Sequence, residues 1–92
     1  MIGAQTTIIE LQAKARSFID QAKSLEKDGD LKGAGARLRE ATRLIRRMAE
    51  LETVQADRVR RYKKAKEAEA MADKLENGQK VFNLSKEASQ SS

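Results

Sequence analysis

Arg58, Arg60, Arg61, Lys63, Lys64 and Lys66 put six cations into nine residues, and Arg37, Arg39, Arg43, Arg46 and Arg47 precede them. From Arg37 to Lys66 eleven cations stand against four acids, a local +7 in a chain of 92 residues whose net charge is +5. Such a density attracts acidic partners, and a polyanion would gain further by releasing its counterions. Tyr62 is the one ring interleaved with these cations and no Asn/Gln-rich recognition segment accompanies them, so an acidic peptide or protein fits better than nucleic acid. The plainer alternative is a solvated charged face that binds nothing.

Other chemistry finds little support. The chain has no Cys and no His, which removes disulfides, thiolate metal sites, imidazole bases and a switch near neutral pH. No serine has a base to activate it. The carboxylates Glu50/Glu52 and Glu67/Glu69 are two residues apart, so on a helix each pair diverges and cannot act as an acid/base couple. Gly33-Ala34-Gly35 follows no strand and has Leu38 where a dinucleotide fingerprint needs its third glycine. Asp28-Gly29-Asp30 lacks the spacing of a calcium loop and reads as cap chemistry. The expectation is a chain that is not an enzyme and takes no cofactor.

The elements that must position the cations follow from composition and spacing. There is no Pro, and Ala, Leu, Lys, Arg, Glu and Gln abound, side chains that lose little freedom in a helix. Ile8, Leu11, Ala15, Phe18, Ala22 and Leu25 recur at steps of three and four, which predicts a first helix over about 7–28, opened by a Thr7/Glu10 capping box. Gly29 ends it and Asp30 can cap the next. Leu31, Ala34, Leu38, Ala41, Ile45 and Met48 predict a second helix over 31–52, in which Gly33 and Gly35 mean either weak first turns or, the favoured reading, close packing of another backbone. Val59, Tyr62, Ala65, Ala68, Ala72 and Leu75 give a third face over 57–77, ended by Asn77-Gly78.

No Gly or Pro enforces a break between the second and third helices, and Thr53 or Asp57 would have to cap the new start. A turn at 53–57 gives an antiparallel three-helix bundle; without one, a rod of over forty residues results and must pair with another copy. The alanine-rich inward stripes leave shallow grooves suited to a helix or an extended segment. Residues 79–92 read as a polar linker or tail, with Val81, Phe82 and Leu84 as apolar exceptions that could occupy a groove in cis. No apolar run approaches the ~20 residues of a membrane span, and Met1-Ile2-Gly3-Ala4 lacks the features of a secretory signal, so a cytoplasmic location is expected.

The stretch from Ala22 to Ala34, with Glu26, Gly29, Asp30 and Leu31 between them, resembles the MIT (microtubule-interacting and trafficking) domain, and Ala72-Asp73-Lys74-Leu75 is similar to the close of its third helix. The likeness spans about residues 7–77. Tetratricopeptide helix pairs share much of the same Ala/Gly pattern. The resemblance implies a module that binds short C-terminal motifs of ESCRT-III-type filament proteins and recruits an AAA ATPase to remodel them. Leu38 replaces a tyrosine common in the family, and the tyrosine-leucine pair of helix three falls on Ala68 and Glu69. Those departures put the groove between helices one and three on at least an equal footing with that between two and three.

The sequence therefore predicts an all-α, antiparallel three-helix bundle over 1–78 and a flexible tail over 79–92. The resemblance implies binding of the acidic or mixed hydrophobic tail of an ESCRT-III-like protein, and a monomer is expected rather than a homodimer. Ile19, Val59, Tyr62 and Met71 are the expected apolar contacts, and Arg58, Arg61, Lys63 and Lys66 the electrostatic ones. The competing reading is a self-associating coiled-coil or tetratricopeptide-like scaffold.

Overall fold

The computed structural model describes residues 2–82, with side chains from residue 6 onward. Three helices run in order, α1 (Ile2–Lys27), α2 (Leu31–Leu51) and α3 (Gln55–Glu76), forming an all-α three-helix bundle. α1 begins five residues before the Thr7/Glu10 box, which therefore lies inside the helix and cannot cap it. A helix propagates through flanking residues until something stops it, and nothing in Ala4-Gln5-Thr6 does.

Two like turns close α1 and α3. Gly29 (φ 90°) and Gly78 (φ 86°) take the left-handed conformation. Asp30 N then donates to Leu25 O at 2.8 Å and Gly29 N to Glu26 O at 3.0 Å, while Gln79 N donates to Lys74 O at 2.8 Å and Gly78 N to Leu75 O at 3.0 Å. These are Schellman closures, which satisfy carbonyls that the helix end leaves over. Asp30 caps α2 by accepting from Gly33 N at 2.9 Å. Its carboxylate fills the space a Cβ on Gly33 would need.

The turn between α2 and α3 occupies residues 52–54, which settles the rod question for this chain in favour of three separate helices. Neither Thr53 nor Asp57 caps α3. The N-cap is Val54, whose side chain makes no cap bond, and Asp57 lies in the first helical turn. The break is instead bridged by side chains from the first two turns of α3. Arg58 Nη2 donates to the Glu52 carbonyl at 3.1 Å, and Arg61 Nε to the Glu52 carboxylate at 2.6 Å.

α2 is the central element, buried on two sides. Ala34, Leu38, Ala41, Ile45 and Met48 form one stripe, while Gly35, Thr42 and Ala49 form a second. The buried Thr42 hydroxyl is satisfied by donating to Leu38 O at 3.0 Å. Ala15 and Ala22 enter from α1, with Ile8, Leu11, Phe18, Ile19 and Leu25 packed against the same cluster. α3 contributes Ala65, Ala68, Ala72 and Leu75. A Cβ on Gly35 would stand 3.2 Å from the carbonyl oxygen of Ala72, so the missing side chain lets α2 and α3 approach closely.

The third apolar face needs correction at its start. Val59 and Tyr62 are exposed (55 % and 42 %), and the inward position between them belongs to Arg61. Val81 and Phe82, assigned by sequence to the tail, are half-buried against the core. Leu84 and the rest of the tail, 83–92, lie outside the described residues.

Candidate functional site: an open basic groove

α1 and α3 each pack along α2 and, over the described residues, not on each other. α2 thus becomes the floor of a groove of about 520 Å³ whose walls are α1 and α3. Ile45 and Met48 form the apolar floor, Arg16, Ile19 and Lys23 stand on one wall, and Arg60, Arg61 and Lys64 on the other. Asp20 is the single carboxylate among the lining residues. An apolar base between two basic rims can hold an extended segment that alternates apolar and acidic side chains.

The rim cations differ in freedom. Arg61 is committed to Glu52, and its Nη1 also reaches the Met48 sulfur at 3.4 Å, so it shapes the floor as much as it charges the wall. Arg60 pairs with Asp57 at 2.5 Å but keeps 70 % of its side chain exposed. Arg16 and Lys64 make no ion pair among the described residues and can turn to an incoming anion.

The seam between α2 and α3 is built differently. Arg39 grips Glu76 with two bonds, Nε at 2.6 Å and Nη2 at 2.8 Å, and reaches Asp73 at 2.5 Å. Arg46 pairs with Glu69 further along. Glu69 thus bridges the two helices, and the remaining hollow is only about 180 Å³.

The hydrogen bonds from Arg39 hold the Glu76 carboxyl below the usual glutamate range, against a partial desolvation that pushes it up. The same bonds raise the pKa of Arg39. A carboxyl with a lowered folded-state pKa adds stability above its unfolded value of about 4.3, and that contribution is lost as pH falls through the folded value. Glu76→Gln is expected to lower the thermal midpoint at neutral pH and to match the wild type in strong acid, as read by circular dichroism. A gap of equal size at both pH values would exclude the ion pair as its source.

Of the eight residues expected from sequence, the α1/α3 groove gathers Ile19 and Arg61, while Met71 lines a separate hollow with Leu31 and Val81. Arg58 serves the turn through the Glu52 carbonyl. By helical spacing Tyr62 falls on the seam side of α3 with Glu69 and Asp73, while Val59, Lys63 and Lys66 point outward. All four are exposed. Arg16, Lys23, Arg60 and Lys64 were missed. For Arg60 and Lys64 the signal was the row Asp57, Arg60, Lys64, Met71, which borders the buried row Ala65, Ala68, Ala72 on the side opposite Tyr62.

Among the described residues no cluster of acids could hold a metal ion, and no helix is long and apolar enough to cross a membrane. The fold and groove define an all-α three-helix bundle with one sealed and one open inter-helical seam. Compared with protein-family models, with curated proteins and with solved structures, the chain matches none.

Proposed function

We propose that this chain is a non-catalytic protein-interaction module that takes a short peptide into the groove between α1 and α3. The observation that supports this most is the contrast between the two seams of α3. Against α2 it is bridged by Arg39 with Asp73 and Glu76 and by Arg46 with Glu69, whereas towards α1 it leaves an apolar floor flanked by cations. The ligand class that fits is an extended segment of mixed apolar and acidic residues. With the resemblance to MIT domains, the reading becomes binding of C-terminal motifs of ESCRT-III-type filament proteins. The module would recruit an AAA ATPase in the cytoplasm and, through its partner, act at membranes in remodelling, trafficking or cell division.

The test is a titration of the isotope-labelled chain with such a tail peptide, followed by amide NMR and calorimetry. Micromolar binding, about 8 kcal/mol, is expected. Shifts should gather at Arg16, Ile19, Ile45 and Lys64 and spare Arg39, Arg46 and Glu69. Absence of saturable shifts up to millimolar peptide would overturn the reading.

A further inference from the structure

Glu26 is fully buried, yet it is a carboxylate on a small helical bundle. Burying a charge is costly unless hydrogen bonds replace its water. Two such bonds come from the far end of the chain. Val81 N donates to Glu26 Oε2 at 2.6 Å and Phe82 N donates to the same oxygen at 2.9 Å. Two successive backbone amides on one carboxylate oxygen form a charge-assisted clamp that reads main chain rather than side chain. The side chains of the two residues add a second grip. Val81 and Phe82 pack against the core cluster, and Lys23 Nζ stands 5.9 Å from the centroid of the Phe82 ring.

The clamp is continuous with the open groove. Asp20 and Lys23 line both the groove above and the hollow beside Val81 and Phe82 below. Ile19, Lys23 and Glu26 follow one another on one side of α1 at steps of four and three, so the carboxylate lies one turn beyond the groove's Lys23. Residues 79–82 cross from the end of α3, past Met71 and Leu31, to reach it.

We propose that Glu26 is a receptor for a pair of consecutive backbone N–H groups, occupied in this chain by its own Val81–Phe82, and that this strap competes with the groove's ligand. A ligand whose extended backbone carries two adjacent apolar residues would displace the strap and give the same carboxylate its own amides. The competition rests on the reading of the groove as a peptide site; the clamp itself does not. A closed strap lowers apparent affinity by the fraction of time the site is free.

Amide hydrogen exchange on the full chain tests the clamp. The Val81 and Phe82 amides should exchange about tenfold or more slower than in a free peptide, and Glu26→Gln should speed both while leaving amides in the middle of α2 unchanged. A double variant, Val81→Ser with Phe82→Ser, then tests competition. It should bind the filament-type tail peptide about three to ten times tighter than the wild type. A synthetic peptide copying residues 78–84, added to the same variant, should shift Lys23, Glu26 and Met71.

Free-peptide exchange rates at Val81 and Phe82 would overturn the clamp. Protected amides with unchanged ligand affinity in the double variant would overturn the competition and leave a structural latch. Binding of the 78–84 copy without binding of the tail peptide to either chain would refute the groove's proposed ligand while upholding Glu26 as a backbone receptor.

Discussion

Leu38→Ala is expected to lower the unfolding free energy by about 2 to 5 kcal/mol, with the upper half of that range favoured. Leu38 is 2 % exposed near the middle of α2, the one helix that packs on both others. Seven of the eleven residues in the buried cluster are alanines: Ala15, Ala22, Ala34, Ala41, Ala65, Ala68 and Ala72. An alanine has no rotamer with which to lean into a cavity, so little of the lost volume would be recovered. At roughly 0.05 to 0.15 kcal/mol per residue, a chain of this size has only about 5 to 14 kcal/mol in total. A single methyl-group cluster therefore carries a large share of the stability. Urea unfolding followed by helical circular dichroism would measure it, and a midpoint within error of the wild type would show that the core repacks around the deletion.

Arg60→Glu combined with Lys64→Glu is expected to weaken binding of an acidic tail peptide about tenfold or more, or about 1.4 kcal/mol, with the wild-type affinity also falling as salt rises. Both side chains stand on the α3 wall of the groove, and Lys64 has no ion pair within the described residues to offset it. Lys63→Glu combined with Lys66→Glu changes the net charge by the same amount on the outward face, and should alter affinity by no more than about twofold. Calorimetry at two salt concentrations separates the cases. Equal losses in the two double variants would mean that the ligand senses total charge rather than the groove. Thermal midpoints measured alongside guard against unfolding, since neither pair belongs to the buried cluster.

Helical content and most helix ends were legible because their causes are local, whereas the number of helices stayed open at 53–57. Three-four spacing marks an apolar stripe whatever the stripe packs against. Gly29, Asp30 and Gly78 act on amides and carbonyls within five residues, and they close or cap helices as their types imply. Gly35 announced a close approach, since a helix interior gains nothing else from that residue. The absence of His and Cys removed whole chemistries before any coordinate was needed.

What tertiary structure decided is what depends on where a distant residue lies. No local signal stops α2 at Leu51; the turn is bridged by Arg58 and Arg61, one turn and more into α3, which bind the carbonyl and carboxylate of Glu52. For the same reason an arginine takes the inward place that hydropathy assigned to Val59 and Tyr62. A stripe tells which face is buried, but its two borders look alike in sequence. Only the position of α1 makes Arg60 and Lys64 the groove side and leaves Tyr62 on the other. The clamp at Glu26 is the extreme case, since its donors are 55 and 56 residues away. In sequence Glu26 belongs to the MIT-like pattern but gives no sign of a distant partner, and burial makes it a site only after the chain has returned to cover it.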